Sequence, residues 1–207
     1  GHAMHSYYSN NHQDYNNANY PMLVAEVAST CNEALFMQYL LGKTQDKAKR
    51  KFLINYFLEQ FRTTVFRQVM FAEFEAIIHR RQEQGEALTC EAYQAIYRSL
   101  NERYYGPDMV VDEEITMEWA RIPHFYDAFY VYKYATGFAT AIALSQLGLS
   151  GPKGRERYLA FLSSGGSRFP LDILKDAGID LTRPETVAGA LKLFDSLVSE
   201  MEALMEA

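Results

Sequence analysis

The sequence predicts an all-α protein, and three observations carry that expectation. Apolar residues recur at threes and fours over long stretches, the spacing of one helix face. No alternating apolar–polar run is long enough to read as a strand. Breaks containing Gly and Pro separate the periodic stretches, and there is no internal repeat.

The elements follow in order. Residues 1 to 8 read as the tail of a helix with no cap before it, and the Asn-rich residues 9 to 20 as a loop. Pro21 suits the first turn of a helix over about 21 to 42, with Leu23, Val27, Ala34, Leu35, Tyr39 and Leu40 inward and Gly42 as its stop. A long helix over about 45 to 83 rests on Phe52, Tyr56, Phe57, Phe61, Val65, Val69, Phe71 and Ile77, and ends near Gly85. Thr89 caps a helix over 89 to 104, and Tyr105-Gly106-Pro107-Asp108 is a turn. A short acidic helix or turn over 112 to 120 is interrupted by Arg121-Ile122-Pro123-His124.

The most apolar helix is expected over about 125 to 147, with Tyr126, Phe129, Tyr130, Tyr134, Phe138, Ile142 and Leu144. Its small residues Ala135, Gly137, Ala139, Ala141 and Ala143 permit close helix approach. Gly148, Gly151 and Pro152 end it, and a helix over 153 to 163 leads into the loop Ser164-Gly165-Gly166-Ser167. Pro170 to Ala177 reads as a short helix, and Glu185 to Met205 as an amphipathic one started by Thr182 and Pro184.

Composition narrows the function. A chain of 207 residues with 48% hydrophobic content can bury the core of one domain. Its net charge of -6 argues against a nucleic-acid partner. No run of 18 apolar residues predicts a membrane span. There is no signal-peptide pattern, although the first residue of a fragment says nothing about targeting. Cys31 and Cys90 form no CxxC pair, which suits a reduced, cytoplasmic setting with both thiols as small buried side chains. The 15 Tyr and 13 Phe suit a helical protein with an internal cleft.

The candidate chemistry starts at His2. A zinc peptidase uses two His one helical turn apart, with a Glu beside the first. If His2 is the second His of such a motif, the first His and the Glu precede Gly1. A polar loop can return the chain so that Glu26 meets the metal, and Glu33, near two turns later on the same face, can steady a ligand His. By spacing alone, two surface Glu and a tag-derived His2 are the default explanation of these residues. His5 is a weaker substitute ligand, and His12 and His79 read as loop and surface residues. No Glu precedes a His by three, which excludes a ferritin-like di-metal bundle.

Several strings together resemble one family. Gly1-His2-Ala3-Met4-His5-Ser6 resembles the end of the His-Glu-Leu-Gly-His-Ala-Met-His-Ser string of the oligoendopeptidase F family, the thimet-oligopeptidase-like zinc metallopeptidases. Ala25-Glu26-Val27-Ala28-Ser29-Thr30-Cys31-Asn32-Glu33 resembles its second helix, and Tyr130-Val131-Tyr132-Lys133-Tyr134-Ala135-Thr136-Gly137 its Tyr-rich active-site helix. Gly165-Gly166-Ser167 followed by Pro170-Leu171 and Leu174-Lys175 is also similar.

The resemblance implies a helical fragment of a zinc-dependent endopeptidase for short oligopeptides. His2 and Glu26 are then Zn2+ ligands and Glu33 a supporting carboxylate. His124 with Tyr130 or Tyr134 would stabilise the oxyanion. The choice among Tyr126, Tyr130, Tyr132 and Tyr134 stays open, as does simple core packing of these residues. The expected organisation is one helical catalytic-domain fragment over 1-207, with zinc-site helices in 1-42, a helical middle in 43-123, and the Tyr-rich and C-terminal helices in 124-207. Lacking the first His and the catalytic Glu, the polypeptide alone is expected to be inactive, to need the missing N-terminal part of the same enzyme, and to expose a face prone to self-association. The alternative is a non-enzymatic helical peptide-binding or interaction domain.

Overall fold

A computed structural model of the chain describes residues 1–206. The described residues form nine α-helices and no strand, as the periodicity predicts. The helices are α1 (His2–His12), α2 (Met22–Lys43), α3 (Lys47–Phe61), α4 (Arg67–Glu83), α5 (Cys90–Tyr105), α6 (Tyr132–Leu149), α7 (Pro152–Leu162), α8 (Pro170–Asp176) and α9 (Glu185–Glu206). Local chemistry sets several starts. Pro152 and Pro170 open α7 and α8, where a missing N–H is harmless. Thr89 caps α5 by accepting the Ala92 N–H at 3.3 Å.

Three elements differ from expectation. α1 continues through His12 into the Asn-rich stretch, and the side chains of Asn11 and His12 reach back to the carbonyls of Tyr7 and Tyr8 at 2.7 and 2.8 Å. The stretch from 45 to 83 is not one helix, since a π-helical turn at Arg62–Phe66 separates α3 from α4. α6 starts at Tyr132, not near 125. Before it come a 3-10 turn at Pro123–Tyr126 and a non-helical Phe129 at φ 56°. The Phe129 N–H is drawn off to the buried Glu75 carboxylate, 2.7 Å away.

The chain divides into two compact units. The first comprises Gly1–Phe61 and the chain from Thr136 onward. Its core packs Val24, Val27, Ala28 and Cys31 of α2 with Ala141 and Leu144 of α6, Phe161 and Leu162 of α7, and Ile173 and Leu174 of α8. The buried stripe of α2 therefore runs through Val24, Ala28 and Cys31, while Tyr39, expected inside, is exposed. Phe61 of α3 meets Phe138 and Phe194 with ring centres 4.8 and 5.4 Å apart, and Arg50 pairs with Glu200 of α9.

The second unit is Arg62–Ala135. Its core gathers Met70, Phe71 and Phe74 of α4, Ile96, Tyr97 and Leu100 of α5, and Ile122 and Val131. Glu118, from the 3-10 segment Glu114–Arg121, is buried among Arg67, Arg121 and the Tyr97 hydroxyl. Cys31 is buried as expected, and burial pushes its thiol up to about 12. Cys90 is exposed, contrary to expectation, because it opens α5 rather than facing its core.

Candidate functional site

His2 sits in the first turn of α1 and Glu26 in the second turn of α2. The start of α1 lies directly on α2, so close that a Cβ at Gly1 would overlap the Ser29 backbone. That approach leaves His2 Nε2 3.8 Å from Glu26 Oε2, with the two side chains 55% and 60% exposed. Ser29, one turn on, donates its hydroxyl to Glu26 Oε2 at 3.0 Å and fixes the rotamer of the carboxylate. Sequence reading passed over Ser29, although its i+3 spacing from Glu26 was the available signal. Glu33 is exposed on the same helix, nearly two turns further.

His5 lies beneath this surface, fully buried. Its ring stacks on Tyr20 at 3.6 Å, and its Nδ1 has no hydrogen-bond partner. Burial, and secondarily the neighbouring His2, lowers its pKa from 6.5 to about 4. His5 packs inside the first unit, stacked on Tyr20 and Phe161. Between pH 6.5 and 4 the unfolded chain takes up a proton on His5 that the folded chain refuses. Stability from this residue is thus complete above pH 6.5 and is lost as pH falls, by about 3 kcal/mol below pH 4. Urea titrations across this range should show that slope in the native sequence and a flatter one in His5→Gln.

The second cluster belongs to the other unit. His124 Nε2 and the Tyr134 hydroxyl are 3.2 Å apart, and the Tyr130 ring lies 5.5 Å from the His124 ring. Tyr130 and Tyr134 meet edge to face at 5.7 Å, and Lys133 Nζ stands 4.7 Å from the Tyr130 ring centre. Because the helix begins only at Tyr132, the spacing of Tyr126, Tyr130 and Tyr134 does not define a helix face. Tyr126 points to solvent at 89% exposure, and Tyr132 is also exposed. The structure gathers His124, Tyr130 and Tyr134 and leaves Tyr126 outside.

Two donors on one tetrahedral zinc, each at about 2 Å, stand roughly 3.3 Å apart. His2 Nε2 and Glu26 Oε2 need only a small side-chain rotation to reach that separation. Among the described residues no three His, Cys, Asp or Glu gather as a metal-binding group. The residues present thus fit zinc as two of the three protein ligands that a catalytic site uses.

The described residues form a wholly helical domain, and comparison with known proteins gives its family. Residues 1–193 match peptidase family M3, and the chain belongs to that family. It is 50% identical over 206 residues to Oligopeptidase PepF of Bacillus subtilis, across 99% of this chain and 31% of that protein. It is 44% identical over 207 residues to the plasmid Oligoendopeptidase F of Lactococcus lactis subsp. cremoris, across 100% of this chain and 34% of that protein. The crystal structure of oligoendopeptidase-F from Enterococcus faecium superposes with a TM-score of 0.90 at 40% identity, covering 100% of this chain and 37% of the other. The chain spans about a third of the length of the curated relatives it matches. No described helix is long and apolar enough to cross a membrane.

Proposed function

We propose that this chain supplies part of the active site of a cytoplasmic zinc-dependent endopeptidase that cleaves short oligopeptides. The observation that carries the reading is the His2–Glu26 pair, 3.8 Å apart at the meeting of α1 and α2 in a chain of family M3. Zinc bound there supplies Lewis acidity and a water of lowered pKa. His2 offers a neutral imidazole nitrogen and Glu26 an anionic oxygen. Ser29 holds the Glu26 carboxylate in orientation, and Glu33 steadies a ligand His through its far nitrogen. The second His ligand and the Glu that takes the water's proton come from sequence outside this chain, so the chain by itself is inactive.

His124, Tyr130 and Tyr134 carry the oxyanion. In the resting chain the Tyr134 hydroxyl and His124 Nε2 are hydrogen-bonded to each other, which keeps both oriented. Turning that donor pair toward a substrate oxygen stabilises charge that exists only in the transition state. Tyr134→Phe should therefore lower kcat by about 100-fold with little change in KM. Steady-state kinetics on a quenched fluorescent peptide would read that split.

The exposed aromatic residues Phe36 and Tyr39 on α2 and Phe52 and Tyr56 on α3 support a covered face, met by the rest of the enzyme or by a second copy. Native mass spectrometry and peptide cleavage test the whole reading. The expected result is one zinc and chelator-sensitive cleavage when this chain is joined by the remainder of the enzyme, and neither when it is alone. Cleavage that persists in a zinc-free, chelated enzyme would sink it.

A further inference from the structure

The loop Ser164-Gly165-Gly166-Ser167 has no role in the chemistry above, yet it grips the segment that links the two proposed ligands. The loop is a closed turn, in which Ser167 donates both its N–H and its hydroxyl to Ser164 O, at 3.2 and 2.7 Å. The connection between α1 and α2, residues 13 to 21, lies against it. Gly166 N–H donates to Asn17 O at 2.8 Å. Gln13 Nε2 donates to Ser163 O at 2.8 Å, just before the loop. From the other side, the buried Ser9 hydroxyl donates to Ala18 O at 2.5 Å. The connection is therefore tied at its start, through Gln13, and in its middle, through Asn17 and Ala18.

Both glycines are required by contact. Gly165 has φ 52°, the left-handed region that side chains disfavour. A Cβ there would overlap Asn17 O and stand 2.7 Å from Ser9 Oγ. A Cβ at Gly166 would stand 2.5 Å from Asn19 O. Any side chain must push the connection away. The connection sets how α2 returns along α1, and that return is what brings Glu26 to His2.

We infer that the Ser164–Ser167 loop is a positioning element of the metal site, holding the α1–α2 connection so that His2 and Glu26 reach one ion. The inference rests on the zinc reading above and adds a structural determinant of the site that lies outside the ligand set. Its residues touch neither metal nor substrate. They act through the backbone of residues 13 to 21.

The test uses the zinc-loaded enzyme that contains this chain, with three variants: Gly166→Ala, Gln13→Ala, and Phe74→Leu as a control that loosens the core of the other unit. Zinc affinity is read by competition with a chromogenic chelator. Ligand geometry is read from the visible spectrum of the cobalt-substituted protein. The expected result for Gly166→Ala is about tenfold or greater loss of zinc affinity with a displaced cobalt band. Gln13→Ala, which puts no strain on the backbone, should show a smaller loss in the same direction. Phe74→Leu should lower the melting temperature and leave affinity and spectrum as in the native enzyme. Native zinc affinity and cobalt spectrum in both Gly166→Ala and Gln13→Ala would overturn the inference, and Gln13→Ala alone decides if Gly166→Ala fails to fold. A native enzyme that binds no zinc would overturn instead the reading beneath it.

Discussion

If Glu26 is a zinc ligand as proposed, replacing it by Gln is expected to lower zinc affinity by more than about 100-fold and to reduce kcat/KM at least as far, because a directly ligating group matters more than the outer partners, whose loss costs about 10- to 100-fold. The substitution keeps the side chain's shape and an oxygen for the Ser29 hydroxyl, so only the anionic donor is lost. Glu26 is 60% exposed, and its removal leaves the core intact. The melting temperature of the metal-free protein should therefore be unchanged, which separates a lost ligand from a damaged fold. Glu33→Gln should fall in the same direction by a smaller factor. Metal analysis of dialysed protein, with cleavage assays at saturating peptide, reads both effects. An enzyme with Glu26→Gln that keeps its zinc and its activity would remove Glu26 from the ligand set.

The second large effect concerns stability. Glu118 is only 3% exposed, and it accepts from Arg67 Nη2 at 2.5 Å and from the Tyr97 hydroxyl at 2.7 Å, with Arg121 also paired to it. Arg121 is largely in solvent and contributes little. Arg67 and Tyr97 are another matter. Burial, and then the Glu118 charge, push the Tyr97 phenol far above its usual range, so it remains a donor that needs an acceptor. Glu118→Ala removes the one carboxylate both groups share and should destabilise the unit by about 3–5 kcal/mol. Glu118→Gln retains an acceptor for Tyr97 and loses only the charge, so about half that loss is expected. Urea denaturation followed by Trp119 fluorescence measures both, since the indole lies on the Tyr93 ring within the same aromatic cluster. Near-native midpoints in both variants would mean that the network is solvated rather than structural.

Helical periodicity made the long elements legible, because α2, α5 and α9 bury one stripe each and carry recognisable starts or stops. It failed where a distant group decides the backbone. Nothing in residues 125 to 131 marks the left-handed Phe129; Glu75, 54 positions earlier, captures its N–H. The π-helical turn at Arg62–Phe66 left no trace either, since Phe57, Phe61 and Val65 keep the spacing of an unbroken helix. In the candidate site, no local pattern pairs His2 with Glu26 across 24 positions, and only the family resemblance did so. The gathering of His124, Tyr130 and Tyr134 does not come from helix geometry. It follows from the short turns between His124 and Tyr132, whose path a helical template misplaces.

The hold of Glu75 on Phe129 reaches beyond conformation. Proteolysis requires several residues of chain to peel into an extended strand. Residues 124 to 131, ahead of α6, offer what an attacker would seek, with Tyr126 and Phe129 facing solvent outside any α-helix. What they lack is slack. With the Phe129 amide bound to a carboxylate that is itself sealed in the interior, peeling this stretch means drawing that anchor apart, so its opening is tied to partial unfolding of α4 rather than to loop breathing. Aromatic display and a tethered backbone thus coexist in a single segment.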